Sequence, residues 1–319
     1  MALNSSTSSS PNTDNWQTTL HKEEFYTWQN YRCAYEVYTP TNKSALTKTP
    51  LLLVHPIGVG LSRFFWHRFC QEWFNTGDGH LIYNPDLLGC GESQMPSVAY
   101  YPIDWADQLQ YFLKTVVKTP VILLVQGALL PVALTLIQKQ TEPNYIQGLV
   151  LSGPPSWSLI TTETPSWQQR VAWNFFVSPL GSAFFRYARR RQFLQKFSED
   201  KLFADNSTVD NEWLDNLQKG AINPASRYAV FSFLAGFWRQ NYQQAIANTS
   251  QPTLIVVGEQ ASSISKLGKS ENPEDRLAEY IKHLPQGEGR TITGRNVLPY
   301  ESTSEFVKVV RDAISKFKV

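Results

Sequence analysis

The chain of 319 residues is long enough for one large α/β domain with an insertion, or for two domains of about 150 residues each. Its composition, with 42% hydrophobic, 13% aromatic and only 18% charged residues, excludes disorder of the whole chain. The formal net charge of +2, from 29 basic and 27 acidic residues, gives no field that steers a protein onto nucleic acid, so no nucleic-acid partner is predicted.

Residues 1–22 are predicted to be a disordered polar tail. They lack the basic cluster and the apolar run of about 7–15 residues that a secretory signal would require. A transit peptide would be rich in arginine, and the first arginine of the chain is Arg32. No stretch reaches about 18 uninterrupted apolar residues, so no transmembrane helix is predicted.

Strands and helices alternate through residues 23–154. Phe25 to Tyr38 reads as a β-hairpin that turns at Gln29-Asn30. Leu51 to Val54 is a short apolar run typical of a buried parallel strand. The same reasoning predicts strands at 80–83, 121–125 and 148–151, and helices at 64–74, 103–114 and 131–139.

Residues 155–250 lack strand signals and are rich in tryptophan and phenylalanine, which predicts a helical insertion that forms a lid. The sheet resumes at 252–257, and a helix, a strand and a helix are predicted at 278–283, 290–292 and 306–317. The predicted fold class is α/β, with a mostly parallel central sheet flanked by helices. Its core comprises residues 23–154 and 251–319.

Three loops carry a resemblance to a known family. HPIGVG at 55–60 follows the first parallel strand, PDLLGCGES at 85–93 follows the second, and a turn follows at Gly127. The second loop resembles the PD-x-x-G-x-G-x-S loop of α/β-hydrolases, and Glu301 to Phe306 is similar to their E-x-P-x-x-F ending. From about residue 25 onward the chain resembles the α/β-hydrolase superfamily. The sequences of the first two loops are similar to those of a cyanobacterial branch of this superfamily.

The resemblance places replaced residues at all three triad positions. Active members carry G-x-S-x-G at the strand-to-helix turn, but this turn reads Val125-Gln126-Gly127-Ala128-Leu129, and Gly127 has no side chain to attack with. Ala261 stands at the acid position, and Asn296, five residues before Glu301, at the histidine position. The triad is therefore predicted to be degenerate, and no residue is assigned as catalytic.

The same mapping suggests a binding pocket. In active relatives the oxyanion hole takes one N–H from the loop after the first parallel strand and one from the residue after the nucleophile. Ile57 and Ala128 are the corresponding donors here. The candidate pocket residues are His55, Ile57, Gly58, Gln126, Ala128 and Asn296. The alternative is that His55 and the glycines of this loop only shape a tight turn.

No cofactor and no metal ion are predicted. Gly58-x-Gly60 and Asp86 are reminiscent of a dinucleotide site, but the third glycine is missing, and such a site leaves residues 85–93 and the insertion unexplained. Cys33, Cys70 and Cys90 are odd in number and contain no CxxC pair, so they suggest neither zinc nor disulfides. A reducing, cytoplasmic location fits them best.

Two features of the insertion allow a binding role. Residues 175–197 read as a basic helix with an apolar face, which can make weak peripheral contact with an anionic membrane or can instead pack on the core with its charges solvated. Large aromatic residues either fill the core of the insertion or line an apolar pocket. They are Trp157, Trp167, Trp173, Trp213 and Trp238.

The leading hypothesis is a catalytically inactive α/β-hydrolase homologue, a pseudoenzyme that binds an apolar ligand such as a lipid, pigment or isoprenoid, or a protein partner. The alternative is a hydrolase that acts on an ester or related bond through an unorthodox site, such as His55 and Glu259 with a water molecule converging on Asn296. The nearest alternative nucleophiles are Ser62, Ser93 and Ser152.

Overall fold

The computed structural model describes residues 20–40, 47–76, 79–140, 144–265, 268 and 271–317. The predicted tail therefore lies largely outside the described residues. The first strand begins at Leu20 and so includes the last three residues of that predicted tail.

Eight strands in the described residues form one sheet, in the order β1-β2-β4-β3-β5-β6-β7-β8. Strands β1 and β2 and strands β2 and β4 pair antiparallel, and every other neighbouring pair is parallel. The strands are β1 (Leu20–Trp28), β2 (Tyr31–Thr39), β3 (Leu51–Val54), β4 (Ile82–Pro85), β5 (Val121–Gln126), β6 (Ile146–Ser152), β7 (Thr253–Gly258) and β8 (Gly287–Ile292). This is the predicted α/β-hydrolase fold.

Helices cover both faces of the sheet and fill the stretch between β6 and β7. In chain order they are α1 (His67–Asn75), α2 (Pro102–Phe112), α3 (Leu130–Gln138), α4 (Trp157–Thr161), α5 (Ser166–Val177), α6 (Pro179–Ala188), α7 (Arg191–Phe197), α8 (Asn211–Gly220), α9 (Arg227–Leu234), α10 (Gln243–Ala247), α11 (Pro273–His283), α12 (Leu298–Glu301) and α13 (Thr303–Ile314). None of the helices in the described stretches is long and apolar enough to cross a bilayer.

Local sequence accounts for the edge and the centre of the sheet. Gln29 and Asn30 both have positive φ, of 48° and 65°, which is the backbone conformation of a two-residue type I′ hairpin turn. Every residue of β3, β5 and β7 is buried, as expected for parallel strands covered on both faces. The predicted hairpin and central strands are confirmed.

The core lies on both sides of these central strands. On one side Leu123 and Val125 of β5 belong to a cluster with Trp105 and Leu109 of α2. On the other side the neighbouring β5 residues, Ile122 and Leu124, join aromatic and aliphatic side chains of α1 and α13. Successive side chains of β5 thus point to opposite faces of the sheet and belong to two separate core layers.

Several element bounds differ from the sequence prediction by a few residues, and one predicted helix is three separate elements. Strand β4 begins at Ile82 rather than His80. The predicted basic helix over 175–197 is wrong as a single element, because that stretch contains the end of α5, all of α6 and all of α7. Pro179 occupies the first turn of α6, and the Ser178 hydroxyl accepts a hydrogen bond from the N–H of Leu180, so a new helix starts there.

Between β6 and β7 the described chain contains helices α4 to α10 and no strand. We call residues 155–250 the insertion. Part of it is packed firmly on the core, because Trp213 and Phe203 are buried against Tyr300. Of the five tryptophans in or beside the insertion, Trp213 and Trp238 are buried, Trp157 and Trp173 are half-buried, and Trp167 is exposed.

Candidate functional site

The turn after β5 is a strand-to-helix elbow. Gly127 has φ +59° and is followed by a single 3-10 turn, Gly127–Leu129, that leads into α3. A Cβ atom placed on Gly127 would have one neighbour within 4 Å, the carbonyl oxygen of Gly153 at 3.9 Å. The elbow therefore has the backbone conformation that glycine favours and has room for a side chain, but its residue provides no reactive atom.

The three predicted triad positions meet at this end of the sheet. The Gln126 side-chain amide donates a 2.7 Å hydrogen bond to the backbone carbonyl of Asn296. The Asn296 amide nitrogen in turn donates a 2.9 Å bond to the carbonyl of Ser262, the residue after Ala261. The loops after β5, β7 and β8 are thus joined directly.

Asn296 also holds the insertion. Its amide nitrogen donates a second bond, of 2.7 Å, to the carbonyl of Lys201, and its backbone N–H donates a 3.0 Å bond to the carbonyl of Leu202. Both hydrogens of the amide group are used in this way. At this position the side chain therefore ties the insertion to the loop after β7 instead of presenting a base.

Glu301 strengthens the same junction. Its carboxylate accepts hydrogen bonds from the backbone N–H groups of Arg295, at 2.9 Å, and of Asp205, at 3.3 Å. Arg295 donates from its guanidinium to the carbonyl of Asp200 at 3.1 Å. The insertion is therefore attached to the loop after β8 by side chains on both sides of Asn296.

His55 lies in the core with a fully buried side chain. Its Nδ1 is 2.9 Å from the Pro56 carbonyl oxygen, and its Nε2 accepts a 3.0 Å bond from the N–H of Leu87. This pattern requires a neutral ring with the proton on Nδ1. Burial lowers the pKa of His55, although the Asp86 carboxylate opposes that shift. Both ring nitrogens are engaged, and neither is open to a substrate.

Glu259 does not share an environment with His55. It is exposed at the end of β7, where its backbone N–H donates to the carbonyl of Ile292. The three serines considered as alternative nucleophiles are all buried. The Ser93 hydroxyl donates to the Asp86 carbonyl and accepts from the Ala34 N–H, both at 2.9 Å, which is a structural role.

The loop at 85–93 surrounds a buried ion pair. The Asp86 carboxylate accepts 2.8 Å bonds from the backbone N–H groups of Arg63 and Glu92 and pairs with the Arg63 guanidinium. Gly91 has φ +56°, and a Cβ atom there would overlap the Asp86 carboxylate. The most specific sequence motif therefore has a structural role, since its glycine, Gly91, packs directly against the carboxylate of its aspartate, Asp86.

The same contacts exclude Asp86 as a ribose ligand, because its side chain is completely buried. Gly60 has φ +79°, and a Cβ atom there would overlap the backbone carbonyl of Leu217 in α8. The glycine loop therefore lies close against the insertion rather than open to a phosphate group.

Two depressions at the surface of the described residues have linings that do not include Gly127, Ala128 or Asn296. One is an open depression of about 560 Å³ whose lining includes Arg189, Lys219 and Ile222. The other is a crevice of about 10 Å³ beside Gly60. Among the described residues no cluster of three or more His, Cys, Asp or Glu side chains is arranged to hold a metal ion.

The role of Gln126 and the second role of Asn296 are not foreseeable from the sequence. Both side chains bind backbone carbonyl groups of residues distant in the chain, and a carbonyl acceptor leaves no residue-type signal. The buried Arg63 was likewise missed, because it stands just before a predicted amphipathic helix.

A model of the alpha/beta hydrolase family matches residues 51–309, and the chain belongs to that family. No curated protein matches the sequence.

Solved structures with the same fold are numerous. An esterase from Thermogutta terrifontis, with malate bound, is 18% identical, with 94% of this chain and 100% of that one covered and a TM-score of 0.68. A serine hydrolase involved in carbazole degradation is 16% identical over 93% of this chain and 99% of that one, with a TM-score of 0.69. A meta-cleavage product hydrolase mutant from Pseudomonas fluorescens IP01 is 14% identical over 90% and 95%, with a TM-score of 0.66. At these identities the likeness concerns the fold alone.

Proposed function

We propose that this alpha/beta hydrolase homologue is catalytically inactive and works as a binding or assembly protein. The observation that carries the proposal is Gly127, which has the positive φ of an elbow residue and no side chain. Covalent catalysis by acyl transfer needs an oxygen or sulfur nucleophile at this point. The fold is retained at the elbow, and the reactive atom is absent from it.

Asn296 and Ala261 support the same proposal. An amide cannot accept a proton at neutral pH, and the Asn296 amide is committed to the carbonyls of Lys201 and Ser262. Ala261 is buried and provides no carboxylate to orient a base. Loss of a single member of a triad already costs several orders of magnitude in rate, and here all three are replaced.

The closed junction at Asn296 favours a partner that binds at the surface. A ligand at the proposed pocket of His55, Ile57, Gly58, Gln126, Ala128 and Asn296 would require the insertion to leave the carbonyl contacts that Asn296 makes. A protein partner requires no such opening. We therefore place protein binding or assembly first, with an apolar ligand beneath the insertion as the second possibility.

The alternative of a hydrolase with an unorthodox site receives no support from His55, because the ring is buried and both nitrogens are engaged. We further propose a cytoplasmic location, which the three free and buried cysteines support. The similarity of the two loop sequences to a cyanobacterial branch stays a sequence-based prediction.

The first test is labelling with a fluorophosphonate probe of serine hydrolases. The wild-type chain should stay unlabelled, while an active esterase of the same fold is labelled under the same conditions. The matched variant is Gly127→Ser, which adds the missing hydroxyl where a Cβ atom has room. Stoichiometric labelling of the wild type would show a reactive serine elsewhere and overturn the proposal.

A second test asks whether the scaffold lacks only its three side chains. The variant Gly127→Ser/Ala261→Asp/Asn296→His should hydrolyse a short p-nitrophenyl ester faster than the wild type and faster than Gly127→Ser alone. Wild-type turnover at the median enzyme rate of about 10 per second would contradict inactivity.

A further inference from the structure

Helix α5 exposes a continuous apolar stripe. Trp167, Val171 and Phe175 are spaced by four residues, so they lie on one side of the helix, and Trp167 and Val171 are 64% and 63% exposed. No residue of α5 is fully buried. The opposite side is turned inward, since the ring of Phe176 stacks on that of Phe231 with centroids 5.1 Å apart.

Helix α6 continues the pattern immediately after Ser178. Leu180, Phe184 and Tyr187 are spaced by four and three residues and are exposed, Leu180 by 67%. The other side of α6 is buried through Phe185 and Ala188. The two helices contact each other closely, because a Cβ atom on Gly181 would overlap the carbonyl of Phe176. Together they present six large apolar side chains to the outside.

The charged residues within this segment of the chain are of one sign. From residue 164 to residue 198 the chain contains no aspartate or glutamate, although it contains six basic residues. Since the whole chain has only two more basic than acidic residues, the remainder is net negative. The six are Arg170, Arg186, Arg189, Arg190, Arg191 and Lys196.

Several of these cations are available to a partner. Arg191 pairs with Asp215, and Lys196 pairs with Asp200 at 3.3 Å. The exposed Arg170, Arg186 and Arg190 make no ion pair with any described residue. Three unpaired arginines therefore accompany the apolar stripes and no carboxylate counters them within this segment.

We propose that the outer faces of α5 and α6, the α5–α6 face, dock on the surface of an anionic lipid bilayer. A helix with Trp, Phe and Leu on one side and arginines beside them is suited to lie in the headgroup region. Tryptophan and tyrosine favour that region as well. Anionic lipids attract the arginines, and the lack of aspartate and glutamate between residues 164 and 198 lowers the repulsion that the lipid headgroups would otherwise meet.

A bilayer suits this face better than a protein. Neither of the two surface cavities described above is lined by any of the six exposed apolar residues, so those cavities do not provide a socket for a partner's side chain on the stripes. A lipid surface accepts projecting apolar side chains without a complementary shape. The proposal goes beyond the absence of catalysis and does not depend on it.

The test is flotation of the full chain with lipid vesicles. It should bind vesicles of phosphatidylcholine with about one third phosphatidylglycerol at about 0.05 M salt, and lose most of that binding on pure phosphatidylcholine or at about 0.5 M salt. Arg186→Gln with Arg190→Gln should weaken binding about fivefold for each arginine. The control, Lys114→Gln with Lys308→Gln, makes the same change of charge at exposed sites elsewhere and should have much less effect.

A second set of variants tests the apolar contact. Leu180→Ser should weaken vesicle binding about tenfold, whereas Val98→Ser, at an exposed apolar residue in the loop between β4 and α2, should have much less effect. Because the three native cysteines are buried, Leu180→Cys can be labelled selectively with an environment-sensitive fluorophore. Its emission should shift to the blue on vesicles, and that of the Val98→Cys control should not.

The possible results distinguish a lipid bilayer from a protein as the partner of the α5–α6 face. Failure to bind anionic vesicles at low salt, or binding unaffected by all α5–α6 variants, overturns the proposal and would point to a protein as the partner of this face. The fluorophosphonate result is independent of either outcome, because the variants at Arg186, Arg190 and Leu180 are not at the elbow. Circular dichroism of each variant confirms that these surface changes leave the fold intact.

Discussion

The side-chain amide of Gln126 donates a 2.7 Å hydrogen bond to the backbone carbonyl of Asn296, 170 residues further along the chain. This bond joins the end of β5 to the loop after β8. The Asn296 side chain in turn donates to the backbone carbonyls of Lys201 and Ser262. Gln126, beside the elbow, is therefore linked through Asn296 to the insertion.

Replacing Gln126 by methionine should therefore destabilise the fold. The variant Gln126→Met keeps the length and burial of the side chain but leaves the Asn296 carbonyl without its donor, at a cost of about 1–2 kcal/mol. Urea denaturation measures this loss in the free energy of unfolding. The control is Gln244→Met on α10, where an exposed glutamine binds Asn248 and little change is expected. Equal effects in the two variants would show that the buried bond has no special role.

Two glycines with positive φ should respond differently to alanine. At Gly127 a Cβ atom has room, so Gly127→Ala pays only the conformational cost of about 1–2 kcal/mol. At Gly60 the new atom would also overlap the Leu217 carbonyl, so Gly60→Ala should cost at least about 2 kcal/mol more. Urea denaturation of both variants checks the order. A reversed order would mean that the elbow is more crowded than its geometry indicates.

The fold was predictable because its signals are local. The apolar runs of β3 and β5 and the Gln29-Asn30 turn each define an element without reference to the rest of the chain. The elbow at Gly127 was predictable for the same reason, since a strand, a glycine and a helix follow one another there.

The contacts within the site were not predictable. The partners of Gln126 and Asn296 are backbone carbonyls, whose position depends on the whole fold rather than on residue type. The break between α5 and α6 has a local signal, Ser178-Pro179 at a helix start, but the basic and aromatic residues continue across it and conceal the change of element.

The buried ion-pair cluster around Arg63 should contribute most of the stability of the loop at 85–93. Arg63 is nearly inaccessible and pairs with Asp86, Glu36 and Glu23. The variant Arg63→Met removes the cation and leaves buried carboxylates unpaired, which typically costs about 3–5 kcal/mol.

The matched control is Arg68→Met, which removes an arginine from partly exposed pairs with Asp210 and Glu212 and should cost about 1 kcal/mol or less. Thermal and urea denaturation of both variants provide the measurement. If Arg63→Met were as stable as Arg68→Met, the cluster would not be essential to the fold.

Stability should fall as the pH is lowered through the histidine range. Burial lowers the pKa of His55 and of His80 in the folded chain. Below about pH 6.5 the unfolded chain binds protons at these residues that the folded chain does not, so the free energy of unfolding decreases toward acid and is unaffected by them at higher pH.

The slope contributed by each residue is at most about 1.4 kcal/mol per pH unit. Urea denaturation between about pH 5 and 8 measures it. The variant His80→Gln should reduce the slope below about pH 6.5, and His55→Gln should do the same where that variant folds. An unchanged slope in His80→Gln would show that His80 titrates alike in both states.

The native thiols should be unreactive. Burial raises the pKa of Cys33 to about 11 and raises the pKa values of Cys70 and Cys90 as well, so little thiolate forms at neutral pH and none of it faces solvent. Ellman's reagent should therefore detect no thiol in the folded chain and three in urea. The Leu180→Cys variant provides the control, because its thiol is exposed and should react at once. Reaction of a native thiol without denaturant would reveal local opening, and Cys33 in β2 would then report the edge hairpin separately from Cys70 in α1.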